Sequence, residues 1–119
     1  MRTIKFRAWT ELVNAETGEP HMAMIDHDGL LNWSVEDLLD PENGRNILMQ
    51  FTGLLDKNGK EIYEGDVIKE KHCTSYVIFE EGRFQLHQNS GNYVVQNTQY
   101  YEIIGNIYEN PELLTTHSL

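Results

Sequence analysis

Hydrophobic and polar residues alternate along several short stretches of this chain. Near the start, Ile4, Phe6 and Ala8 fall on one side of an extended backbone, and polar or basic residues fall on the other. A period of two residues is typical of a half-buried β-strand. The same alternation returns over residues 83–87, where Gln85 is predicted to point outward. The pattern therefore predicts strands in both halves of the chain.

One segment departs from the β pattern. Ser34 is a favourable N-cap, and the acidic residues that follow it suit a helix N-terminus. Pro41 limits this predicted helix to about two turns. The loop after it suggests a boundary, so we expect a β-rich N-terminal segment with one short helix at 1–45, a small barrel at 46–114 and a frayed tail at 115–119.

The second half has a β pattern punctuated by glycine. Asn58-Gly59 is a two-residue hairpin signal, because both residues tolerate a positive φ. Glu64-Gly65-Asp66 predicts a sharp reversal of the chain before the next strand. About five or six short strands joined by such turns predict a small antiparallel barrel. The predicted fold class is mainly β, or β-dominated α+β.

Charge and cysteine content restrict the choice of partners and compartment. The formal net charge of the 119-residue chain is -10, with 19 acidic residues against 9 Lys and Arg. This balance opposes binding to phosphate backbones and to anionic membranes. Cys73 is the single cysteine, which fits a reducing compartment. With neither a signal peptide nor a bilayer-length apolar run in the sequence, we expect a cytoplasmic protein.

The residues that could carry chemistry do not form a recognised pattern. The five histidines lack zinc-site spacing. The segment from Asp56 to Gly59 begins like a calcium loop, but its glycine stands at the fourth position where an EF-hand needs it at the sixth. Glu64 and Asp66 would share a strand face, yet exposed carboxylates are the simpler expectation. We therefore expect no catalytic residue, no metal and no cofactor.

Three blocks of sequence are the most specific: MRTIKFRAW at the start, MQFTGLLDKNGKEIYEGDVI in the centre and EIIGNIYENPELL near the end. Together they resemble the YopX family of phage and prophage proteins. The resemblance implies a small β-rich protein with an SH3-type barrel in its C-terminal part, made in a bacterial cell by a phage or prophage. It brings no activity and no catalytic residue with it. Thr10 departs from the acid that often follows the tryptophan in the family, which puts the turn after the first strand in doubt.

The leading functional hypothesis is a non-enzymatic accessory protein that binds a host or phage protein. Loops carry function more often than strands, so the variable loops are the predicted contact regions. The candidate residues are Asp26, His27, Asp28, Gln88, Asn89 and Asn92. An exposed strand edge would also favour a homo-oligomer.

Other functions stay open at this point. The acidic chain could imitate nucleic acid and inhibit a DNA-binding enzyme of the host, which predicts a continuous acidic stripe. The aromatic residues and a local basic face could bind nucleic acid weakly, as small barrels do. An enzyme would need a concave pocket with at least two convergent ionisable groups.

Overall fold

The protein is described by a computed structural model that covers residues 4–31, 46–88 and 90–115. Strands dominate these residues and the helices are short, which confirms the predicted mainly β fold class. The chain forms two compact units, which we call the N-terminal unit (Ile4–Gln50) and the C-terminal unit (from Phe51 onward). The helix predicted after Ser34 lies outside the described residues.

The N-terminal unit is built around its first strand. Its elements are β1 (Phe6–Val13), β2 (Pro20–Ile25), α1 (His27–Leu30) and the first part of β3 (Ile47–Leu55). β1 pairs antiparallel with β2 on one side and with β3 on the other. Ala8, Thr10 and Met49 are buried. Ala8 and Thr10 are two residues apart and lie on the same face of β1, so the strand is buried on one face, as the alternation predicted.

The turn between β1 and β2 lies several residues after Thr10. Thr10 is inside β1, where its buried hydroxyl donates a hydrogen bond to the side-chain oxygen of Asn46. The chain reverses at Asn14, whose carbonyl oxygen accepts from the N–H of Gly18 at 2.8 Å. Gly18 has φ +74°, a conformation that glycine adopts at no steric cost. The doubt about a turn next to Thr10 is thereby resolved.

The C-terminal unit contains a five-stranded antiparallel sheet. The strands of this unit are the end of β3, β4 (Glu61–Tyr63), β5 (Asp66–Glu70), β6 (Cys73–Glu80), β7 (Arg83–Gln88), β8 (Gly91–Val94) and β9 (Glu102–Asn106), and the last five form the sheet. The sheet order is β8-β7-β6-β5-β9, and β4 pairs with the end of β3. A 3-10 helix (Thr98–Tyr100) precedes β9, and α2 (Glu112–Thr115) follows it. The curled antiparallel strands form a half-barrel.

The core of the C-terminal unit lies on one face of this sheet. The buried cluster consists of Ile62, Ile68, Val77, Leu86 and Tyr101, with Phe84, Val95 and Ile103 packed against it. Burying such side chains contributes about 1.5–3 kcal/mol each to folding. In β7, Leu86 is buried as the alternation predicted. Gln85 was predicted to point outward, but it is buried as well. Its side-chain amide folds back and donates to the carbonyl oxygen of Glu80 at 3.0 Å.

The two-residue hairpin turn was predicted at Asn58-Gly59, but it occurs elsewhere in the chain. At Asn58-Gly59, only Gly59 has a positive φ, so the turn is not the two-residue type that the dipeptide suggested. Instead, the N–H of Gly59 donates to the carbonyl oxygen of Asp56, and the hairpin closes at Lys60. The two-residue type occurs at Glu81 and Gly82, which have φ +56° and +78°.

Candidate functional site

The first predicted contact segment, Asp26 to Gly29, forms the start of α1 and not an open turn. The side chain of Asp26 accepts a hydrogen bond from the N–H of Gly29 at 2.8 Å, as an N-cap does. A Cβ on Gly29 would lie 2.8 Å from a methyl group of Ile25, so glycine is required there by packing. Asp28 is exposed and His27 is half-buried. Two of the four residues therefore have structural roles, and partner contact at this segment stays a prediction.

The second predicted contact segment, residues 88–92, is the tight connection between β7 and β8. Gln88 is the last residue of β7 and pairs with Gly91, the first residue of β8. Asn92 lies inside β8, not in a loop, and its side chain is exposed. Asn89 lies outside the described residues. We call β7, β8 and their connection the β7–β8 hairpin.

Asn92 belongs to a small polar and aromatic cluster on the sheet face opposite the core. The Oδ1 atom of Asn92 lies 2.7 Å from Nδ1 of His87, its cross-strand partner. Because the amide oxygen accepts, Nδ1 carries the hydrogen, and in the neutral ring Nε2 is then the acceptor nitrogen. The ring of Tyr76 lies next in line, 5.0 Å from the imidazole between centroids. Three adjacent strands thus hold one row of side chains.

The outer strand of the hairpin is exposed and carries no charge. All four residues of β8 are exposed, and Tyr93 and Val94 keep 46% and 61% of their surface accessible. The hydroxyl groups of Tyr93 and Ser90 lie 2.6 Å apart. From Phe84 to Tyr101 the sequence contains no Asp, Glu, Lys or Arg, although 24% of the whole chain is charged. The hairpin is therefore a neutral surface on an acidic protein.

In the central block, the segment that begins like a calcium loop uses its first carboxylate to accept backbone hydrogen bonds. Asp56 is buried, and its Oδ1 accepts from the N–H groups of Asn58 and Lys60 at 2.8 and 2.9 Å. Its Oδ2 accepts from the N–H of Ile103 in β9 at 3.1 Å. Burial alone would raise the pKa of Asp56, but these bonds and the Lys60 charge lower it from its ordinary value. The carboxylate joins the hairpin turn to the sheet.

The reversal at Glu64-Gly65-Asp66 is also held by the fold. Gly65 has φ +89°, its N–H donates to Val77 at 2.8 Å, and its carbonyl oxygen accepts from Ile107 at 2.9 Å. Asp66 is buried, contrary to the expectation of an exposed carboxylate, and its Oδ2 accepts from the N–H of Tyr63 at 2.8 Å. A carboxylate used in this way positions backbone and is poorly suited to acid–base chemistry.

The closing block packs its own turn against β9. The side-chain oxygen of Asn106 accepts from the N–H groups of Tyr108 and Glu109, and the side-chain oxygen of Asn110 accepts from the N–H of Asn106. A Cβ on Gly105 would lie 2.5 Å from Oδ1 of Asn110. The side chain of Asn110 therefore packs where a Cβ at position 105 would be, so glycine is needed there.

Charges of both signs are interleaved in the C-terminal unit. Lys57 lies 3.9 Å from Glu102, which is also the cross-strand partner of Lys69. Arg83 is opposite Glu80 at the β6–β7 turn. A mixed pattern of this kind counts against one continuous acidic stripe among the described residues of this unit.

Within the described part of the chain, no group of three or more His, Cys, Asp or Glu side chains could hold a metal ion. None of the helices in those ranges has the length and apolar character needed to cross a membrane.

The order of these blocks matches a known family. The model of the family described as YopX protein matches residues 5–115. The chain belongs to the YopX family. The match takes in all three blocks that the sequence resemblance rested on, apart from the first few residues. The expected family membership is thus confirmed over nearly the whole chain.

A solved structure is similar to this YopX chain over nearly the whole of both chains. The crystal structure of protein EF1440 from Enterococcus faecalis is similar, with a TM-score of 0.56 and 26% sequence identity. The match covers 96% of this chain and 99% of the other. No curated protein matches the chain. The similarity supports the fold, and the name of the neighbour states no activity.

The residues that sequence analysis missed are those that depend on strand register. The sequence shows Tyr76 only as one of several aromatic residues, His87 as one of five histidines and Asn92 as a loop residue. They become neighbours because Tyr76 is opposite His87 and His87 is opposite Asn92. The absence of charge from Phe84 to Tyr101 was a visible signal for the hairpin, since it contrasts with the rest of the chain.

Proposed function

We propose that this YopX protein is a non-enzymatic accessory protein of a phage or prophage that acts by binding another protein through its β7–β8 hairpin. The observation that carries the proposal is the neutral, exposed β8 strand at the edge of the five-stranded sheet. Protein interfaces typically have a centre depleted of charge and enriched in aromatic residues such as Tyr. The β8 edge has Val94 exposed on one face and Tyr93 on the other, with Asn92 on the same face as Val94.

The most specific residues of the central and closing blocks support this choice because their contacts stabilise the fold. Asp56 and Asp66 are buried and accept backbone hydrogen bonds. Gly65 and Gly105 permit backbone geometry or close packing. By contrast, the hydrogen bonds between His87 and Asn92 and between Tyr93 and Ser90 stay within the hairpin.

Site-specific photo-crosslinking in living cells tests the proposal. A photo-crosslinking amino acid replaces Val94 in one version of the chain and Val13 in another. Val13 is a matched control because it is a valine on a strand of the other unit with similar exposure, 65% against 61%. We expect a discrete crosslinked product from position 94 and none, or only diffuse products, from position 13.

The outcome is decided by the position dependence and not by the capture of a protein as such. A discrete protein adduct specific to position 94 supports the hairpin as the contact surface. Equal adducts from both positions, or adducts from position 13 alone, would contradict it. A nucleic-acid adduct at position 94 would replace protein binding with nucleic-acid binding.

A further inference from the structure

The outer edge of β8 differs from ordinary strand edges because nothing in its sequence protects it. The sheet has β7 on one side of β8 and no described strand on the other. Natural edge strands are commonly protected by charged side chains, proline or a β-bulge. β8 contains no charged residue and no proline, and it pairs with β7 without a register shift. Its shortness is the one protective feature that it has, so it is open to a further strand.

The opposite edge of the same sheet is already covered. There, the N–H of Ile103 in β9 donates to Oδ2 of Asp56, and the carbonyl oxygen of Tyr101 accepts from the N–H of Lys57 at 2.9 Å. The Asp56–Lys60 turn thus occupies the backbone groups that a strand beside β9 would need. Among the described strands of this sheet, β8 is the edge left for pairing.

The side chains of β8 determine what a neighbouring strand should carry. Tyr93 is opposite Leu86 and therefore lies on the core face, while Asn92 and Val94 lie on the other face. Residues opposite Tyr93 and Val94 would meet exposed apolar surface and should be apolar. The residue opposite Asn92 would meet an exposed side-chain amide, which can both accept and donate hydrogen bonds. A polar side chain therefore suits that position, and Arg and Lys are among those that do.

The net charge of the whole chain favours a neighbouring strand with basic residues. The formal charge is -10, and no Lys or Arg follows Arg83. An acidic protein attracts a basic segment over several ångströms and repels a second copy of itself. A second copy would also place Asn92 opposite another neutral β8 residue in place of a cation.

We infer that β8 accepts an extended, basic segment of a partner protein as an additional antiparallel strand. This mode is strand addition, in which main-chain hydrogen bonds supply affinity and alternate side chains supply specificity. The inference rests on the proposed function and adds its geometry and the chemistry of the partner. The expected segment has two adjacent apolar residues opposite Val94 and Tyr93, a basic residue opposite Asn92, and further basic residues at its ends.

Titration of the isotope-labelled full chain with synthetic peptides, followed by NMR, tests this inference. The probe is an end-capped peptide of about ten residues with two central valines followed by arginine and with lysines at both ends. One control peptide has glutamates in place of the lysines and the arginine. A second control keeps the basic residues and has proline at alternate central positions, which prevents strand pairing.

We expect the basic peptide to shift the amide signals of residues 91–94 and to slow their hydrogen exchange at low ionic strength. The acidic peptide and the proline-containing peptide should bind at least about tenfold more weakly. Val94→Lys should weaken the basic peptide about tenfold by placing a like charge beside it, while Val13→Lys should leave its affinity unchanged.

Each other outcome overturns the inference. No slowing of exchange in β8 at millimolar basic peptide would remove strand addition. Equal effects of the proline-containing peptide would show simple charge attraction, and equal effects of the acidic peptide would remove the basic specificity. Protection of β8 that grows with protein concentration in the absence of peptide would make a second copy the occupant.

The two proposals fail in distinguishable ways. If the peptides leave β8 unchanged but the crosslinker at position 94 still captures a protein, the hairpin is a binding surface and strand addition is wrong. If neither experiment gives a signal at β8, both proposals are wrong.

Discussion

At the scale of single residues, Asp56 shows how a conspicuous polar side chain can serve the fold alone. Its two oxygens accept three backbone N–H groups, and one of these belongs to Ile103 at a distance of 47 residues in sequence. A buried acceptor with three donors connects a local turn to a distant strand. The donors would be left without a partner if the carboxylate were removed, and such losses are costly in a buried site.

We therefore expect Asp56→Ala to lower the free energy of unfolding by about 2–4 kcal/mol. Asp56→Asn should cost less, because the amide oxygen can still accept part of the bonding. Chemical denaturation of the full chain measures both values. Asp28→Ala is the control, since Asp28 is exposed and its change should stay within about 0.5 kcal/mol. A loss no larger at Asp56 than at Asp28 would contradict the structural role.

The pKa of Asp56 leads to a pH dependence of definite sign. Burial opposes the charged form, but the backbone hydrogen bonds and Lys60 prevail and lower the pKa from 3.8. A group whose folded pKa is depressed stabilises the fold above the unfolded value, and this contribution is lost as the pH falls through the folded value. The stability difference between the wild type and Asp56→Asn should therefore be full near neutral pH and shrink below about pH 4. Denaturation at several pH values checks it, and a difference that grows on acidification would reverse the sign.

At the same scale, the limits of sequence analysis are physical. The role of Asp56 in the turn followed from its neighbours, but its burial depends on Ile103, which local pattern does not reveal. The same holds for His87 and Asn92, since their hydrogen bond follows from cross-strand register. Asp66 was expected on the surface because the pattern does not show that Tyr63 supplies a buried donor.

At the scale of elements, the β6–β7 turn places glutamate in a backbone conformation that it rarely adopts. Glu81 has φ +56° in a two-residue turn that prefers asparagine before glycine. We expect Glu81→Asn to raise the free energy of unfolding by about 0.5–1 kcal/mol. Glu81→Gln removes the same charge without the preference for positive φ and should give little gain. Equal gains from both variants would assign the effect to charge and not to backbone conformation.

Gly105 is a second element-scale test, because β9 and the turn after it are packed through the missing Cβ. An alanine there would place its Cβ 2.5 Å from Oδ1 of Asn110 and 2.9 Å from Cδ1 of Leu113. We expect Gly105→Ala to lower the free energy of unfolding by about 1–3 kcal/mol. In the background of Asn110→Ala the same change should cost less, since one of the two contacts is gone. Additive costs in this double-mutant cycle would show that the contact is not responsible.

Much of the element order could be predicted, and the exceptions have specific causes. The alternation over residues 83–87 and the reversal at Glu64-Gly65-Asp66 correctly predicted β7 and the strand that follows Gly65. The segment from Gln88 to Asn92 was predicted as a polar loop, but Asn92 lies in β8, because a polar residue on an exposed edge strand looks like loop in sequence. The Asn58-Gly59 dipeptide was misinterpreted because the carboxylate of Asp56 selects a different turn.

At the scale of the whole molecule, the sequence predicted class and family but not function. The mainly β class and the YopX family are both confirmed. Function was not predictable because the best-defined blocks specify backbone, and the surface proposed for binding has no motif. What distinguishes that surface is a lack of charge on a chain of net charge -10, together with its position at a sheet edge.

The most direct test of this account is the affinity between the purified chain and the protein that its position 94 crosslinks. Isothermal titration should compare the wild type with Val94→Lys and Val13→Lys, after all three are shown to unfold at similar denaturant concentrations. The account predicts that Val94→Lys weakens binding about tenfold or more and that Val13→Lys leaves it unchanged. Unchanged affinity of Val94→Lys, or equal weakening by both variants, would contradict the assignment of function to the β7–β8 hairpin.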